Sequence, residues 1–226
     1  MRTSEFDKLA REQLRTLLPD FAVATGLVFE VPIADLLRGL SFQGSSYDQT
    51  SFYLVAFIQP LYIPSDEVVP TFSERSPRFP GTDALGEIRS FVAGAGRTFF
   101  EHLRTPADFA DWLEREERGH RPDPFALEAL AYSRLLAGQA EVARRWLDLT
   151  AETAGAYIRR DIDEGLYAEN EEHPLLTVRE RTTQLCDALA VSAQDALAVL
   201  ERWRQETASH LGLSQHLAPA RTRASG

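Results

Sequence analysis

The chain has 226 residues, 44% hydrophobic and 26% charged, an ordinary globular make-up long enough to bury a core without disulfides or metals. Its 34 acidic and 24 basic side chains leave a net charge of −10, which opposes a nucleic-acid backbone and an anionic membrane surface alike. A single cysteine, Cys186, excludes an intramolecular disulfide and points to a reducing compartment.

No window reaches the ~18 uninterrupted apolar residues of a membrane helix. Residues 1–18 have no apolar leader core, so no secretory signal is read there. The expectation is a soluble, cytoplasmic protein. Lys8 is the only lysine, and the arginine-rich, alanine-rich composition fits a GC-rich genome better than a selected anion site.

In chain order, residues 4–18 predict a helix, with Phe6, Leu9, Leu14, Leu17 and Leu18 near helical spacing and Pro19 as its stop. In GLVFEV, Leu27, Phe29 and Val31 alternate with Val28 and Glu30, as in a half-buried strand. PIADLLR reads as a short helical turn, and GLSFQGSS alternates again. The stretch TSFYLVAFIQPLYI, residues 50–63, is apolar on both faces. Its aromatic and β-branched content, between Gly44-Ser45-Ser46 and the prolines Pro60 and Pro64, predicts a central strand up to Gln59. Pro60 lacks the N–H a ladder needs, so regular pairing is expected to fail there.

Residues 65–81 hold Pro70, Pro77 and Pro80 and read as an ordered connector. Everything after it is helical. Asp83 is a candidate cap for a helix in which Gly94 and Gly96 predict a kink. Thr105-Pro106-Ala107-Asp108 and Asp123-Pro124 are helix starts, and Ser192-Ala193-Gln194-Asp195 opens the last long helix. The class is therefore α+β: an N-terminal helix, a small antiparallel sheet of about three strands, then a mostly helical C-terminal half. The expected division is residues 1–81, residues 82–212, and a flexible tail from 213 to 226.

Motifs for chemistry are sparse. The histidines His102, His120, His173, His210 and His216 lack metal-ligand spacing, so no metal and no cofactor is expected. GAGRTFF (residues 94–100) lies inside a helical pattern, where a dinucleotide reading fails its context. Cys186 sits between apolar helix positions and reads as a small core residue. The candidate binding residues gather by sequence at the strand end and its loops: Tyr47, Asp48, Gln59, Tyr62, Asp66 and Arg75, with Glu67 beside them. The alternative role for Gln59 is to satisfy backbone groups near the Pro60 gap, and for Tyr62 it is packing.

Residues 124–157, beginning PFALEALAYSRLLAGQAEVARRWLDL, resemble one tetratricopeptide-type helix pair. Leu127, Leu130, Ala131, Gly138, Ala143 and Leu147 match its large and small positions; Arg134 stands where an aromatic is usual, and Gly155 where proline is. FYLVAFIQPLYIPSD, with FEVPIADLLRGLSF upstream, resembles a set of bacterial α+β proteins with an N-terminal helix, a small sheet and a helical half. Some proteins of that general build are immunity-type, toxin-neutralising partners, which the resemblance implies as an expectation. Three functions follow. One is an interaction protein, immunity-type or regulatory, whose charge suits a basic protein partner; the second is an enzyme using dispersed carboxylates and tyrosines at the sheet end; the third is a structural accessory subunit, for which an exposed apolar patch on the helical half would speak.

Overall fold

The computed structural model describes residues 2–46, 51–70, 72–80, 85–116, 122–168 and 172–219. The protein is α+β, with an N-terminal helix, a five-stranded antiparallel sheet and a helical C-terminal half. The chain forms two compact units, Met1–Arg104 with Gln205–Gly226, and Thr105–Arg204. Among the described residues no helix is long and apolar enough to cross a membrane.

The first unit is built on a meander: β1 (Phe21–Ala24), β2 (Leu27–Glu30), β3 (Leu36–Gly44), β4 (Phe52–Pro60) and β5 (Phe72–Arg75), each strand paired with the next. Five strands thus stand where about three were expected. β1 is too short to show a periodicity of its own, and it is fixed by pairing Phe21–Ala24 against Leu27–Glu30. β5 lies inside the proline-containing connector. Its sequence FSER is polar and largely exposed, as suits an edge strand. PIADLLR is not helical: Ile33 forms a bridge with Leu217, and Leu36 already pairs with Pro60. The two leucines enter β3 because they continue its alternation, Leu36, Arg38, Leu40 and Phe42 on one face and Leu37, Gly39 and Ser41 on the other.

β4 is buried at every position except the half-buried Tyr53. It lies between β3 and β5, and its ladder to β3 runs through Gln59 to Pro60, where the strand ends. On one face Leu54 and Ala56 join Val28 and Leu40. That face is covered by the N-terminal helix, α1 (Thr3–Leu9) continued by a π-helical turn (Ala10–Leu14), through Phe6, Leu9, Ala10 and Leu14. Ile88, Phe91, Val92 and Phe100 complete the layer from α2 (Leu85–Phe91), a second π-helical turn (Val92–Gly96) and α3 (Arg97–Glu101). This second π-helical turn holds the glycines that predict a kink; Asp83 lies outside the described residues.

The opposite face carries Phe29, Leu37 and Phe57. It is covered by Ala208, Leu211 and Leu213 from the chain's end. Residues beyond 213 are tied down as far as they are described. Ile33 donates its N–H to the His216 carbonyl at 2.8 Å, and its own carbonyl accepts from Ala218 at 2.7 Å. The His216 ring meets Phe29 edge-on at 5.3 Å.

The second unit contains α4 (Pro106–Glu116), α5 (Pro124–Leu136), α6 (Ala140–Asp163), α7 (Pro174–Val191) and the part of α8 (Ala193–His210) up to Arg204. The starts read from sequence are real caps. Thr105 and Asp108 exchange hydrogen bonds, Thr105 Oγ1 accepting the Asp108 N–H at 3.2 Å and Asp108 Oδ2 accepting the Thr105 N–H at 3.0 Å. Asp123 Oδ1 accepts from Phe125 N–H at 3.1 Å, and Ser192 Oγ from Asp195 N–H at 3.0 Å. α5 and α6 form a helical hairpin. Gly138 at φ +79° makes its turn, and the buried Ala131 and Ala143 keep bulk out of the contact.

Gly39 of β3 lies hard against the backbone of β2. A Cβ there would lie 2.5 Å from the Val28 carbonyl oxygen and 3.2 Å from Phe29 Cα, both backbone atoms. Gly39→Ala is therefore expected to cost about 1–3 kcal/mol in urea unfolding. Gly44→Ala, on the same strand but in open space, is the control and should change stability by roughly 1 kcal/mol or less.

Candidate functional site

The structure separates the residues that sequence had grouped. Gln59 is buried, and its amide is spent on the loop that follows: Nε2 donates to the Glu67 carbonyl at 3.1 Å, and Oε1 accepts from Val69 N–H at 3.1 Å. Two ladder-less backbone groups are thus satisfied by one side chain just before the proline. Tyr62 is wholly buried, with Leu61 beside it; the Leu61 N–H donates to the Asp35 carbonyl at 3.0 Å. Asp66 and Glu67 are exposed on the loop.

Arg75 is elsewhere. It pairs in register with Val55, four residues back along β4 from Gln59, or roughly 13 Å at strand rise. There it is exposed, its guanidinium 3.6 Å from the centre of the Tyr53 ring in a cation–π stack. Tyr47 and Asp48 lie outside the described residues. Gln59 is thus joined to the loop of Asp66 as structure, Tyr62 is buried, and Arg75 is not brought to Gln59.

The chemistry-bearing groups that sequence reasoning passed over are in the helical unit. Glu128 of α5 is 1% exposed. Arg181 of α7 grips it with two parallel bonds, Nε to Oε1 and Nη2 to Oε2, each 2.8 Å. The Tyr132 hydroxyl donates to Glu128 Oε1 at 3.0 Å. Burial pushes the Glu128 carboxyl up, while Arg181 and the tyrosine hydroxyl pull it back down. Burial, reinforced by the Glu128 charge, also pushes the Tyr132 phenol up, so it stays a donor.

Arg134, the residue that departs from the repeat pattern, is buried and held by α4. It pairs with Asp111 at 2.7 Å and with Glu114, and donates to Gln139 Oε1 at 3.2 Å. An aromatic there would leave the α4 carboxylates without their cation.

His173 caps α7. Its Nδ1 accepts the Leu175 N–H at 3.1 Å, so Nε2 carries the proton and donates to Asp161 Oδ2 at 3.2 Å. The Tyr167 ring covers it at 4.4 Å. Both ring nitrogens are committed, which leaves neither for moving a substrate proton. The sequence signal was His173 immediately before Pro174, a cap position, rather than its neighbours Glu171 and Glu172. The Cys186 thiol on α7 is half-buried and pushed up by burial, with Asp148 adding to the effect, which disfavours the thiolate.

A concave place among the described residues lies in the first unit. Between the N-terminal helix and β1–β2 is a half-open hollow of ≈ 250 Å³, lined by the exposed Arg11 and Arg15 and the half-buried Phe21 and Val23 over the buried Leu14, Leu18 and Val28. A shallower groove of ≈ 500 Å³ runs along α7, past Leu176, Arg179, Glu180, Thr183, Gln184 and Asp187.

No protein-family model, curated protein or solved structure matches the chain.

Two outcomes follow from the helical unit. Glu128→Leu and Arg181→Met should each cost about 3–5 kcal/mol, since each strands a buried charge or polar partner. The double variant should cost clearly less than their sum, measured by a double-mutant cycle in denaturant. Asp161 is held below its ordinary carboxylate value chiefly by its hydrogen bonds from Arg160, then by His173. A lowered folded pKa means stability present above the unfolded value and lost as pH falls through the folded one. Asp161→Asn should therefore flatten the fall in Tm between about pH 5 and 3 relative to wild type.

Proposed function

We propose that the protein is a non-catalytic interaction protein that binds a basic polypeptide through its helical unit. The observation that carries this is where the charge sits. Residues Thr105–Arg204 hold 20 of the 34 acidic and 12 of the 24 basic side chains, a net of −8 against −2 for the remainder. Such a field draws in a basic partner and disfavours acidic ones.

The α7 groove gives the field a place to act. Glu180 and Asp187 are exposed along it and outnumber its one cation, Arg179, with the half-buried Leu176 supplying apolar contact. The polar groups Glu128, Arg181, Arg134 and His173 of this unit serve bonds between or within the helices. Toxin neutralisation by an immunity-type protein is one concrete form of this reading. The burial of Gln59 and Tyr62 weighs against its alternative, an enzyme working at the sheet end.

The test is capture of a partner from native lysate, followed by titration of that purified partner across a salt series. Glu180→Lys/Asp187→Lys should weaken a basic partner at least tenfold, and raising salt from about 50 to 300 mM should weaken it further. Finding no stoichiometric protein partner at any salt, or one indifferent to both changes, would contradict the proposal.

A further inference from the structure

We propose that the outer edge of β1 takes up an extended acidic segment of a partner protein as a further strand, its carboxylates meeting Arg11 and Arg15. The register of the sheet shows which backbone groups are free for it. β1 ends the sheet, and the phase of its ladder is fixed by the Val31 N–H, which donates to the Asp20 carbonyl at 2.8 Å. In an antiparallel pair, alternate residues turn both backbone groups to the neighbour. Asp20, Ala22 and Ala24 therefore face β2, and Phe21 and Val23 face outward. The Phe21 N–H is used within the chain, on the Leu18 carbonyl at 3.3 Å. The Val23 N–H and the carbonyls of Val23 and Phe21 remain, among the described residues, for a further strand.

The two edges of the sheet meet solvent differently. β5, at the other edge, is FSER, largely exposed, with Glu74 and Arg75 as charges that discourage pairing. β1 is FAVA, without a charge, and all four of its side chains are half-buried. Phe21 and Val23 lie against the core beneath the N-terminal helix, and Ala22 and Ala24 against the core of the opposite face. A strand added here covers apolar rim on both faces.

Charge selects the occupant. Arg11 and Arg15 are exposed at the half-open hollow beside Phe21 and Val23, and neither has an ion-pair or hydrogen-bond partner among the described residues. Partner residues set opposite Phe21 and Val23 point to the same side of the sheet as those two, which is the arginine side. The residue between them points to the alanine side. The segment that fits therefore alternates acidic and apolar residues, with its carboxylates opposite Phe21 and Val23. Two guanidiniums four apart on a helix repel, and a carboxylate relieves that repulsion while accepting their N–H bonds. A second copy of the chain is disfavoured, because twofold pairing of β1 brings both arginine pairs to one side of the joined sheet. The unit that carries this edge holds only −2 of the net −10, so an acidic strand meets little opposing field in it.

The experiment is amide NMR of the full-length protein titrated with a blocked peptide of alternating glutamate and valine. Three altered copies serve as controls: glutamine for glutamate, lysine for glutamate, and glutamates N-methylated on the backbone. The glutamate peptide should shift the Val23 amide and slow its hydrogen exchange. The glutamine and N-methylated copies should bind at least tenfold more weakly, and the lysine copy should leave the Val23 amide unmoved even where it shifts α7 amides. Arg11→Ala/Arg15→Ala changes exposed side chains only, and should weaken the glutamate peptide at least tenfold with the circular dichroism unchanged. No binding of the glutamate peptide at millimolar concentration would overturn the proposal. So would binding that the glutamine copy or the double arginine variant matches, or that leaves Val23 exchange unchanged. A dimer that protects the Val23 amide without peptide would give the edge to a second copy and overturn it too.

Discussion

The first unit depends on β4, a strand that buries both of its faces. Phe52, Leu54, Ala56 and Ile58 point one way, Val55, Phe57 and Gln59 the other, and none is more than 6% exposed. A strand of that composition needs a cover on each side. Each large apolar side chain taken out of water contributes about 1.5–3 kcal/mol, and leaving one face wet would forfeit several of them. The two covers come from opposite ends of the chain. The N-terminal helix supplies one with Phe6, Leu9 and Leu14, and residues 208–217 supply the other with Ala208, Leu213 and Leu217. The strap's pairing to Ile33 follows from this demand, because a cover with no backbone bonds would leave Ile33 groups buried and unmet.

The helical unit solves a different problem. Its helices are charged, and their buried contacts include ions. Glu128 with Arg181 joins α5 to α7, and Arg134 with Asp111 and Glu114 joins α5 to α4. Buried pairs of this kind contribute little net stability over apolar packing, but a misplaced neighbour would strand a charge. They favour one arrangement of the helices over others. The same unit carries most of the net negative charge, so its interior ions hold its shape and its surface carboxylates give it its field.

Much of this is legible in the residues themselves. β2, β3 and β4 show in their alternation or double-sided apolarity, and the caps at Thr105, Asp123 and Ser192 show in their local spacing. β1 and β5 do not show, since four residues such as FAVA or FSER become strands only when a neighbour offers a ladder, and that neighbour is set by the whole sheet. The QP step is a middle case. Its residues mark the end of the strand, but whether Gln59 faces solvent or the following loop depends on the path from Leu61 to Val69. The His173–Asp161 and Glu128–Arg181 pairs join residues 12 and 53 positions apart, and the Arg11–Arg15 hollow is a gap between helix and sheet. No local pattern encodes any of these.

Amide hydrogen exchange on the full chain tests the central claim, that β4 is sealed by covers from both chain ends. The slowest amides of the first unit should be those of Phe52–Gln59, and Leu213→Asp should speed exchange at Leu37 and Phe57 while leaving α5 amides slow. Exchange of β4 amides at loop rates in the wild type, or a Leu213→Asp protein with unchanged protection at Leu37 and Phe57, would contradict it.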